Sequence, residues 1–291
     1  MMSENQKVLS YPVKKISIDD FNETGFIADY FQPSLKGNYG IMVLGGSEGG
    51  KPIHLAHKIA SLGYSVLSLA YFNDGCFLPN ELEMIPLEYF DNAKKWFLRK
   101  EGIRQDGLLI IGWSKGAELG LLLASRDKDY KGVVAVAPSS VVWPGIIKNW
   151  SREALSSWSI NKKPVPFVPY KGQITGAVKM ITDIYRQSLE KMTAPINSTI
   201  NYKNIEIPML LFSGSLDVIW PSEIMARSIC EEINSLHQGK VVCTHYNYKK
   251  AGHLLDGQFN LGGTKENNDK ANIDSLNKID RFIKKINEIK T

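Results

Sequence analysis

The stretch LLIIGWSKGAELGLLLAS, residues 108–125, joins an apolar strand-like run to a helix-like run through a turn of the pattern G-x-S-x-G. Strand, sharp turn and helix in this order are the context of a nucleophile elbow, with Ser114 at its centre. The backbones of strand and helix come close at such a turn, so the positions two residues before and after the serine need glycine, which Gly112 and Gly116 supply. The stretch therefore predicts a serine side chain presented at the end of a buried strand.

On both sides of this stretch, apolar runs alternate with amphipathic runs. This alternation predicts an α/β fold with a mostly parallel central sheet covered by helices on both faces. Active sites in such sheets lie beyond the carboxyl ends of the strands. The strand-like runs are 26–31, 41–44, 64–71, 108–111, 133–137, 209–212 and 241–248, and the helix-like runs are 52–62, 87–97, 117–125, 225–236 and 276–286.

One long segment, 141–207, interrupts the alternation. It contains three tryptophans (Trp143, Trp150 and Trp158) and a proline-rich run at 163–170. The segment is too long for an ordinary connection, and it lies between two predicted strands. We therefore expect a cap-like insertion that covers the active site and contacts substrate. The alternative is a structural excursion that packs its tryptophans away from substrate.

The rest of the chain is expected to form one catalytic domain. We expect one α/β domain over residues 24–291, which includes the insertion, and an N-terminal extension over residues 1–23. The polar run 262–269 is expected to be a solvated loop before the last helix.

Composition limits the class of protein. Hydrophobic residues make up 43% of the 291 residues and the net charge is +5, with much of the positive charge in the last helix. No stretch reaches the roughly 18 to 20 apolar residues of a membrane span, and the N-terminus lacks the pattern of a signal peptide. Three widely spaced cysteines argue against a disulfide framework and a zinc site. We expect a cytoplasmic protein without metal or organic cofactor, and no basic, aromatic-rich patch predicts nucleic-acid binding.

A serine nucleophile needs a base and an acid that orients the base. His253 is predicted as the base because it lies in a loop just past the last strand-like run. Asp217 is predicted as the acid because it follows the run 209–212, between the serine and the histidine in chain order. The remaining histidines lie on or beside predicted helices or within a strand: His54, His57, His237 and His245. Other acids that fit the order are Asp127, Asp129, Asp183 and Glu190.

The oxyanion of an acyl-transfer intermediate needs backbone donors. The N–H of Lys115 is predicted as one donor because it follows the nucleophile. The second is predicted in the glycine-rich loop 45–50, from the N–H of either Ser47 or Glu48. A phosphate-binding loop is a poor match for these residues, because proline follows Gly-Lys where that motif has serine or threonine.

The elbow in its longer form, Gly-Trp-Ser-Lys-Gly-Ala-Glu-Leu at 112–119, resembles that of acyl-CoA thioesterases, which share a catalytic domain with bile-acid-CoA:amino-acid N-acyltransferase. The resemblance implies a dienelactone-hydrolase-like α/β-hydrolase fold, and the family's nucleophile, acid and base fall on Ser114, Asp217 and His253. Further similar segments lie at 45–50, 70–72, 87–90, 139–144 and 262–264.

The resemblance also implies a reaction. We expect a serine hydrolase that cleaves an acyl thioester, foremost acyl-CoA, through an acyl-enzyme, with a small-molecule acyl substrate as its partner. Serine in place of the cysteine of the amino-acid acyltransferases favours water as the acceptor. The N-terminal β-sandwich domain of mammalian members is not expected in this chain. Three alternatives stay open: a carboxylesterase or dienelactone-type hydrolase, an amino-acid N-acyltransferase, and a non-catalytic binding protein of the same fold.

Overall fold

The protein is described here from a computed structural model that covers residues 10–149, 151–170, 181–192, 200–238 and 242–288. Its centre is an eight-stranded sheet in the order β1-β2-β4-β3-β6-β7-β10-β11. These strands are β1 (Lys14–Ile18), β2 (Ile27–Gln32), β3 (Asn38–Leu44), β4 (Val66–Ala70), β6 (Ile103–Trp113), β7 (Tyr130–Val136), β10 (Met209–Gly214) and β11 (Cys243–Tyr248).

The sheet is mostly parallel, as predicted. Six neighbouring strands of the sheet run in one direction, namely β4, β3, β6, β7, β10 and β11. Strand β2 pairs antiparallel with β4. The edge strand β1 pairs antiparallel with β2, from Lys14 opposite Gln32 to Ile18 opposite Ala28. This strand lies within residues 1–23, so part of the predicted N-terminal extension belongs to the sheet.

Helices cover both faces of the sheet. The helices are α1 (Phe21–Thr24), α2 (Ile53–Ala60), α3 (Tyr89–Leu98), α4 (Lys115–Ala124), α5 (Ile181–Glu190), α6 (Ser222–Leu236) and α7 (Lys265–Glu288). Successive residues of β3 point to opposite faces: Met42 and Leu44 join the core under α3, α4 and α6, whereas Ile41 and Val43 join the core under α2 and α7. Continuous apolar strands are expected when both faces are buried.

Where it is described, the segment 141–207 contributes two short strands to a second, three-stranded sheet. Strand β8 (Trp158–Ile160) pairs parallel with β5 (Ile85–Pro86) and antiparallel with β9 (Lys163–Pro164). The sequence did not indicate these strands because they are two or three residues long. Trp143 and Trp158 are buried, and Trp150 lies outside the described residues.

The prediction of a solvated loop over 262–269 was wrong from Lys265 onward. Helix α7 begins at that residue. The Thr264 hydroxyl accepts the backbone N–H of Asn267 at 3.3 Å, and the Thr264 carbonyl accepts the N–H of Asn268 at 2.9 Å. A threonine in this position satisfies a free donor of the first helical turn. The polar composition of these residues therefore reflects a capped, exposed helix start.

The cysteine spacing argued against disulfides, and this expectation is wrong for one pair. Cys230 on α6 and Cys243 at the start of β11 form a disulfide, with their Cα atoms 5.0 Å apart. Helix α6 packs on β11, and Asn234 ties the two together by donating to the Cys243 carbonyl at 2.9 Å. This packing brings together two cysteines that are 13 residues apart in the chain.

In the described part of the chain, no helix is both long enough and apolar enough to cross a bilayer.

Candidate active site

The turn between β6 and α4 has the geometry that the elbow pattern predicts. Ser114 takes φ 53° and ψ −122°, a positive-φ backbone conformation that is rare for a residue with a side chain. Its N–H donates to the Val136 carbonyl at 2.9 Å, which fixes the turn to strand β7. A Cβ atom at Gly112 would overlap the Gly116 carbonyl, and one at Gly116 would overlap the Gly45 carbonyl. Both glycines are therefore required by the close backbone contacts around Ser114.

His253 and Asp217 lie beside the Ser114 side chain. His253 Nε2 is 2.8 Å from Ser114 Oγ, and His253 Nδ1 is 2.8 Å from Asp217 Oδ2. The histidine and aspartate side chains are 2% and 3% exposed, so water competes little for these hydrogen bonds. Asp217 follows β10 and His253 follows β11, and these parallel strands end at the same edge of the sheet as β6.

The partners of Asp217 determine the direction of the hydrogen bonds. Its Oδ1 accepts the backbone N–H groups of Ile219 at 2.8 Å and Trp220 at 3.2 Å, and its Oδ2 accepts the hydroxyl of Ser222 at 2.5 Å. A carboxylate can only accept, so Nδ1 of His253 carries the proton that points to Oδ2. Nε2 is then free to accept the Ser114 proton, as a general base must.

Several of the alternative histidines and acids contact other groups. His54 meets Asp256, with 3.0 Å between Nε2 and Oδ2, and His245 Nε2 lies 2.7 Å from Ser213 Oγ. Burial lowers the pKa of His245. His237 faces a backbone carbonyl, and Asp127 and Asp129 both bind Lys94 beyond the far end of α4. Of the candidates in the described ranges, His253 and Asp217 are the pair that the fold brings to Ser114.

The predicted oxyanion donors lie close to Ser114. Lys115 is the first residue of α4, where the backbone N–H has no partner inside the helix. The loop 45–50 passes beside the nucleophile, since a Cβ at Gly46 would come within 3.1 Å of Ser114 Cβ. The assignment of the second N–H to either Ser47 or Glu48 stays a prediction.

Two side chains that the sequence did not indicate hold this loop. The Glu48 carboxylate accepts the backbone N–H of Gly46 at 3.0 Å and the indole N–H of Trp113 at 2.7 Å. The Tyr71 hydroxyl donates to the Gly45 carbonyl at 2.6 Å. Burial, together with nearby carboxylates, raises the pKa of Tyr71 well above its usual range, so the hydroxyl keeps its proton.

A stack of three glycines joins the loop that carries Asp217 (the aspartate loop) to the loop that carries His253 (the histidine loop). A Cβ at Gly214 would overlap the carbonyls of Ala251 and Gly252, and one at Gly252 would overlap the Gly262 carbonyl. A Cβ at Gly262 would overlap the carbonyl of Leu216, the residue before Asp217. These contacts set the separation of the two loops. The family resemblance at residues 262–264 did not by itself indicate this role.

Asn268 on α7 closes the histidine loop from the other side. Its Oδ1 accepts the Gly252 N–H at 2.8 Å, and its Nδ2 donates to the Gly262 carbonyl at 2.9 Å. The backbone N–H of His253 donates to the Leu261 carbonyl at 2.9 Å. The start of α7 therefore helps to place the imidazole.

We expect Gly262→Ala to lower both the melting temperature and kcat. Gly262 has φ +92°, and the added methyl would overlap the Leu216 carbonyl, so the two loops must separate. A displacement of about 1 Å at a catalytic group costs up to about 100-fold in rate. Activity assays and thermal melts measure the two effects.

Gly37→Ala is the matched control for this substitution. Gly37 also has positive φ, at +82°, but a Cβ there would meet nothing within 4 Å. The control should lower stability by about 1 to 2 kcal/mol from backbone strain alone and leave kcat unchanged. Wild-type kcat in Gly262→Ala would contradict the role assigned to the stack.

Aromatic side chains connect the insertion to His253. The Trp220 ring lies edge-on to the imidazole with 5.5 Å between centroids, and Tyr185 of α5 packs on Trp220 at 5.6 Å. Trp143 packs on Tyr185 at 4.8 Å. The insertion therefore reaches the side of the active site, while contact with substrate stays a prediction.

No group of three or more histidine, cysteine or carboxylate side chains in the described ranges could hold a metal ion.

The solved structures that resemble this chain in fold include two that cover nearly all of it. One is an esterase from Pyrococcus furiosus, with a TM-score of 0.57, 14% identity, and coverage of 98% of this chain and 95% of that one. The other is a dienelactone hydrolase-like promiscuous phosphotriesterase from metagenomic libraries, with a TM-score of 0.56, 12% identity, and coverage of 95% and 99%. At these identities the likeness concerns the fold alone, and it confirms the predicted α/β-hydrolase fold.

Sequence relatives are more specific. The chain is 27% identical over 227 residues to acyl-coenzyme A thioesterase 2, mitochondrial, of Homo sapiens, covering 76% of this chain and 43% of that protein. It is 29% identical over 237 residues to acyl-coenzyme A thioesterase 6 of Mus musculus, covering 80% and 52%. The chain thus spans about half the length of these relatives.

A family profile covers the elbow, the insertion, and the loops after β10 and β11 as far as Phe259, and it leaves out the loop 45–50. The matched residues are 85–259, and the family is described as "BAAT / Acyl-CoA thioester hydrolase C terminal". Ser114, Asp217 and His253 all lie inside the matched range, which is more than half of the chain. The chain therefore belongs to the BAAT and acyl-CoA thioester hydrolase C-terminal family.

Proposed function

We propose that this protein is a serine hydrolase that cleaves acyl thioesters, with acyl-CoA as the substrate class. The observation that carries the proposal is the hydrogen-bonded series Ser114, His253 and Asp217, with 2.8 Å at each contact of the imidazole. Family membership and the similarity to acyl-coenzyme A thioesterases support the thioester as the scissile bond.

The first half of the reaction forms an acyl-enzyme. Ser114 Oγ attacks the thioester carbonyl while His253 Nε2 takes its proton. Asp217 stabilises the imidazolium that results and keeps Nδ1 pointing at its own carboxylate. The negative charge on the carbonyl oxygen is stabilised by the N–H of Lys115 and by an N–H of the loop 45–50, from Ser47 or Glu48. Collapse of the intermediate breaks the C–S bond, and His253 passes its proton to the leaving thiolate sulfur, so that Nε2 is free again as a base.

The second half releases the acid. Water attacks the Ser114 ester, and His253 takes a proton from the water and then returns one to Ser114 Oγ. Both steps use the same donors for the oxyanion. No metal or organic cofactor has a role in this mechanism.

A panel of acyl-CoA substrates of increasing chain length tests the proposal. Free CoA is measured with a thiol reagent, and kcat/KM is compared with that for p-nitrophenyl esters of the same acyl chains. We expect thioesters to be preferred at the best chain length. Equal or greater efficiency on the oxygen esters would favour a carboxylesterase or dienelactone-type hydrolase.

Two further measurements separate the remaining alternatives. Glycine or taurine is added to the acyl-CoA reaction, and an amide product would favour an N-acyltransferase. A fluorophosphonate probe is applied to the wild-type protein, and failure to label Ser114 would favour a non-catalytic binding protein. The predicted cytoplasmic location stays a proposal that cell fractionation tests.

A further inference from the structure

An ion pair lies inside the protein directly behind the nucleophile. Lys115 Nζ is 2.7 and 2.8 Å from the two carboxylate oxygens of Glu118, and the two side chains are 2% and 0% exposed. Burial lowers the pKa of the lysine and raises the pKa of the carboxyl, while the opposite charge of each partner counters both shifts. A charged pair in this position is costly unless its remaining hydrogen-bonding capacity is satisfied.

Glu118 also binds two parts of the insertion. Its Oε1 accepts the indole N–H of Trp158 at 2.8 Å and the backbone N–H of Trp143 at 3.3 Å. Both tryptophans are fully buried. One carboxylate therefore connects the start of α4 to two separate stretches of the segment 141–207.

The contacts of Glu118 extend to both sides of the proposed oxyanion hole. On one side, Lys115 itself carries the backbone N–H predicted as the first donor. On the other side, the Trp158 ring packs on the Tyr71 ring with 5.7 Å between centroids, and Tyr71 binds the Gly45 carbonyl at the start of the loop 45–50. The second predicted donor lies in that loop.

We propose that Glu118 is a positioning residue that fixes both backbone donors of the oxyanion hole, one through Lys115 and the other through Trp158 and Tyr71. The inference rests on the proposed function because it concerns the same site. It gives a role to the lysine and glutamate of the extended elbow, which the catalytic series of Ser114, His253 and Asp217 does not use.

A purely structural role for the pair is the alternative. Replacing a buried ion pair with neutral side chains of similar volume is often neutral for stability, whereas removing one partner is strongly destabilising. The double variant K115M/E118Q is therefore the appropriate test. Methionine replaces the lysine stem, and glutamine keeps an acceptor for Trp158, so the variant can fold while the link to Lys115 is lost.

Three quantities are measured on K115M/E118Q: the melting temperature, kcat and KM on the best acyl-CoA, and the rate of fluorophosphonate labelling. We expect kcat and the labelling rate to fall by about tenfold or more, because one oxyanion donor is worth about 10²- to 10³-fold in kcat. KM and the melting temperature should stay near the wild-type values. Wild-type kcat and labelling in a folded double variant would overturn the proposal.

A second variant covers the case in which the double variant does not fold. Trp158→Phe keeps the ring against Tyr71 but removes the donor to Glu118. We expect its labelling rate, measured well below the melting transition, to fall several-fold; the melting temperature should fall as well, because a buried carboxylate loses a donor and the smaller ring leaves a cavity. A wild-type labelling rate would overturn the proposed path through Trp158.

Lys94→Met is the control for loss of a charged contact near α4. Lys94 binds Asp127 and Asp129 beyond the far end of this helix, so its loss should change stability and leave kcat and labelling unchanged.

The labelling rate also separates the two proposals. It depends on the nucleophile and the oxyanion donors but not on the natural acyl group. A wild-type protein that is labelled but inactive on thioesters would contradict the thioesterase proposal alone. A wild-type protein that is neither labelled nor active would overturn both.

Discussion

Ser114→Ala is expected to lower kcat on acyl-CoA by about 10⁵-fold or more while the fold is kept. In the proposed mechanism, Ser114 Oγ attacks the substrate carbonyl, and it lies 2.8 Å from His253 Nε2, which takes its proton. Alanine fits without strain beyond that already present, because the backbone at Ser114 has positive φ in the wild type. Thiol release at saturating substrate, with a thermal melt of the same preparation, measures the effect.

Ser125→Ala is the matched control for this prediction. Ser125 ends the same helix α4 and donates its hydroxyl to the Leu122 carbonyl at 2.8 Å. Its loss removes a serine hydroxyl from the other end of the helix and should leave kcat unchanged. Fluorophosphonate should label the control and the wild type but not Ser114→Ala. Turnover by Ser114→Ala near the wild-type rate would exclude Ser114 as the nucleophile.

The three residues of the candidate site could be located from the sequence because a single geometric rule applies to them. Parallel strands end at one edge of a sheet, so Ser114, Asp217 and His253, each following an apolar run, are brought together by topology. Their chain order also matched the order expected for this fold. Errors of a few residues in the strand bounds do not change that result.

The support around the site could not be predicted in the same way. Tyr71 and Gly45, or Glu118 and Trp158, are tens of residues apart and belong to segments without a shared periodicity. Their contact depends on how the insertion packs against α4, which no local pattern encodes. The pairing of Lys115 with Glu118 is different, since residues three apart on a helix are neighbours, and the elbow sequence alone could have indicated it.

The errors elsewhere have the same origin. The start of α7 was predicted too late because its first turn is exposed and polar, and the apolar period that marks a helix begins only where it is buried. The Cys230–Cys243 pair depends on the packing of α6 against β11, which spacing in the sequence does not report. Signals based on burial thus fail at exposed ends and at contacts between elements.

Asp217→Asn is expected to lower kcat by about 10⁴-fold. Two backbone N–H groups donate to Asp217 Oδ1, at 2.8 and 3.2 Å, so the amide oxygen of asparagine takes that position. The amide NH₂ then occupies the position of Oδ2 and points at His253 Nδ1 and at the Ser222 hydroxyl, which can accept. Nδ1 must lose its proton to accept this bond, so Nε2 carries the proton and cannot take one from Ser114.

Nitrogen NMR of the imidazole and kcat on acyl-CoA together test this argument. The neutral histidine should carry its proton on Nδ1 in the wild type and on Nε2 in Asp217→Asn. Asp256→Asn is the matched control, since Asp256 Oδ2 lies 3.0 Å from His54 Nε2 in a second aspartate–histidine contact. That change also weakens the ion pair with Lys58, so it should lower stability and leave kcat unchanged. If Asp217→Asn keeps kcat within about tenfold of the wild type, Asp217 does not set the tautomer as proposed.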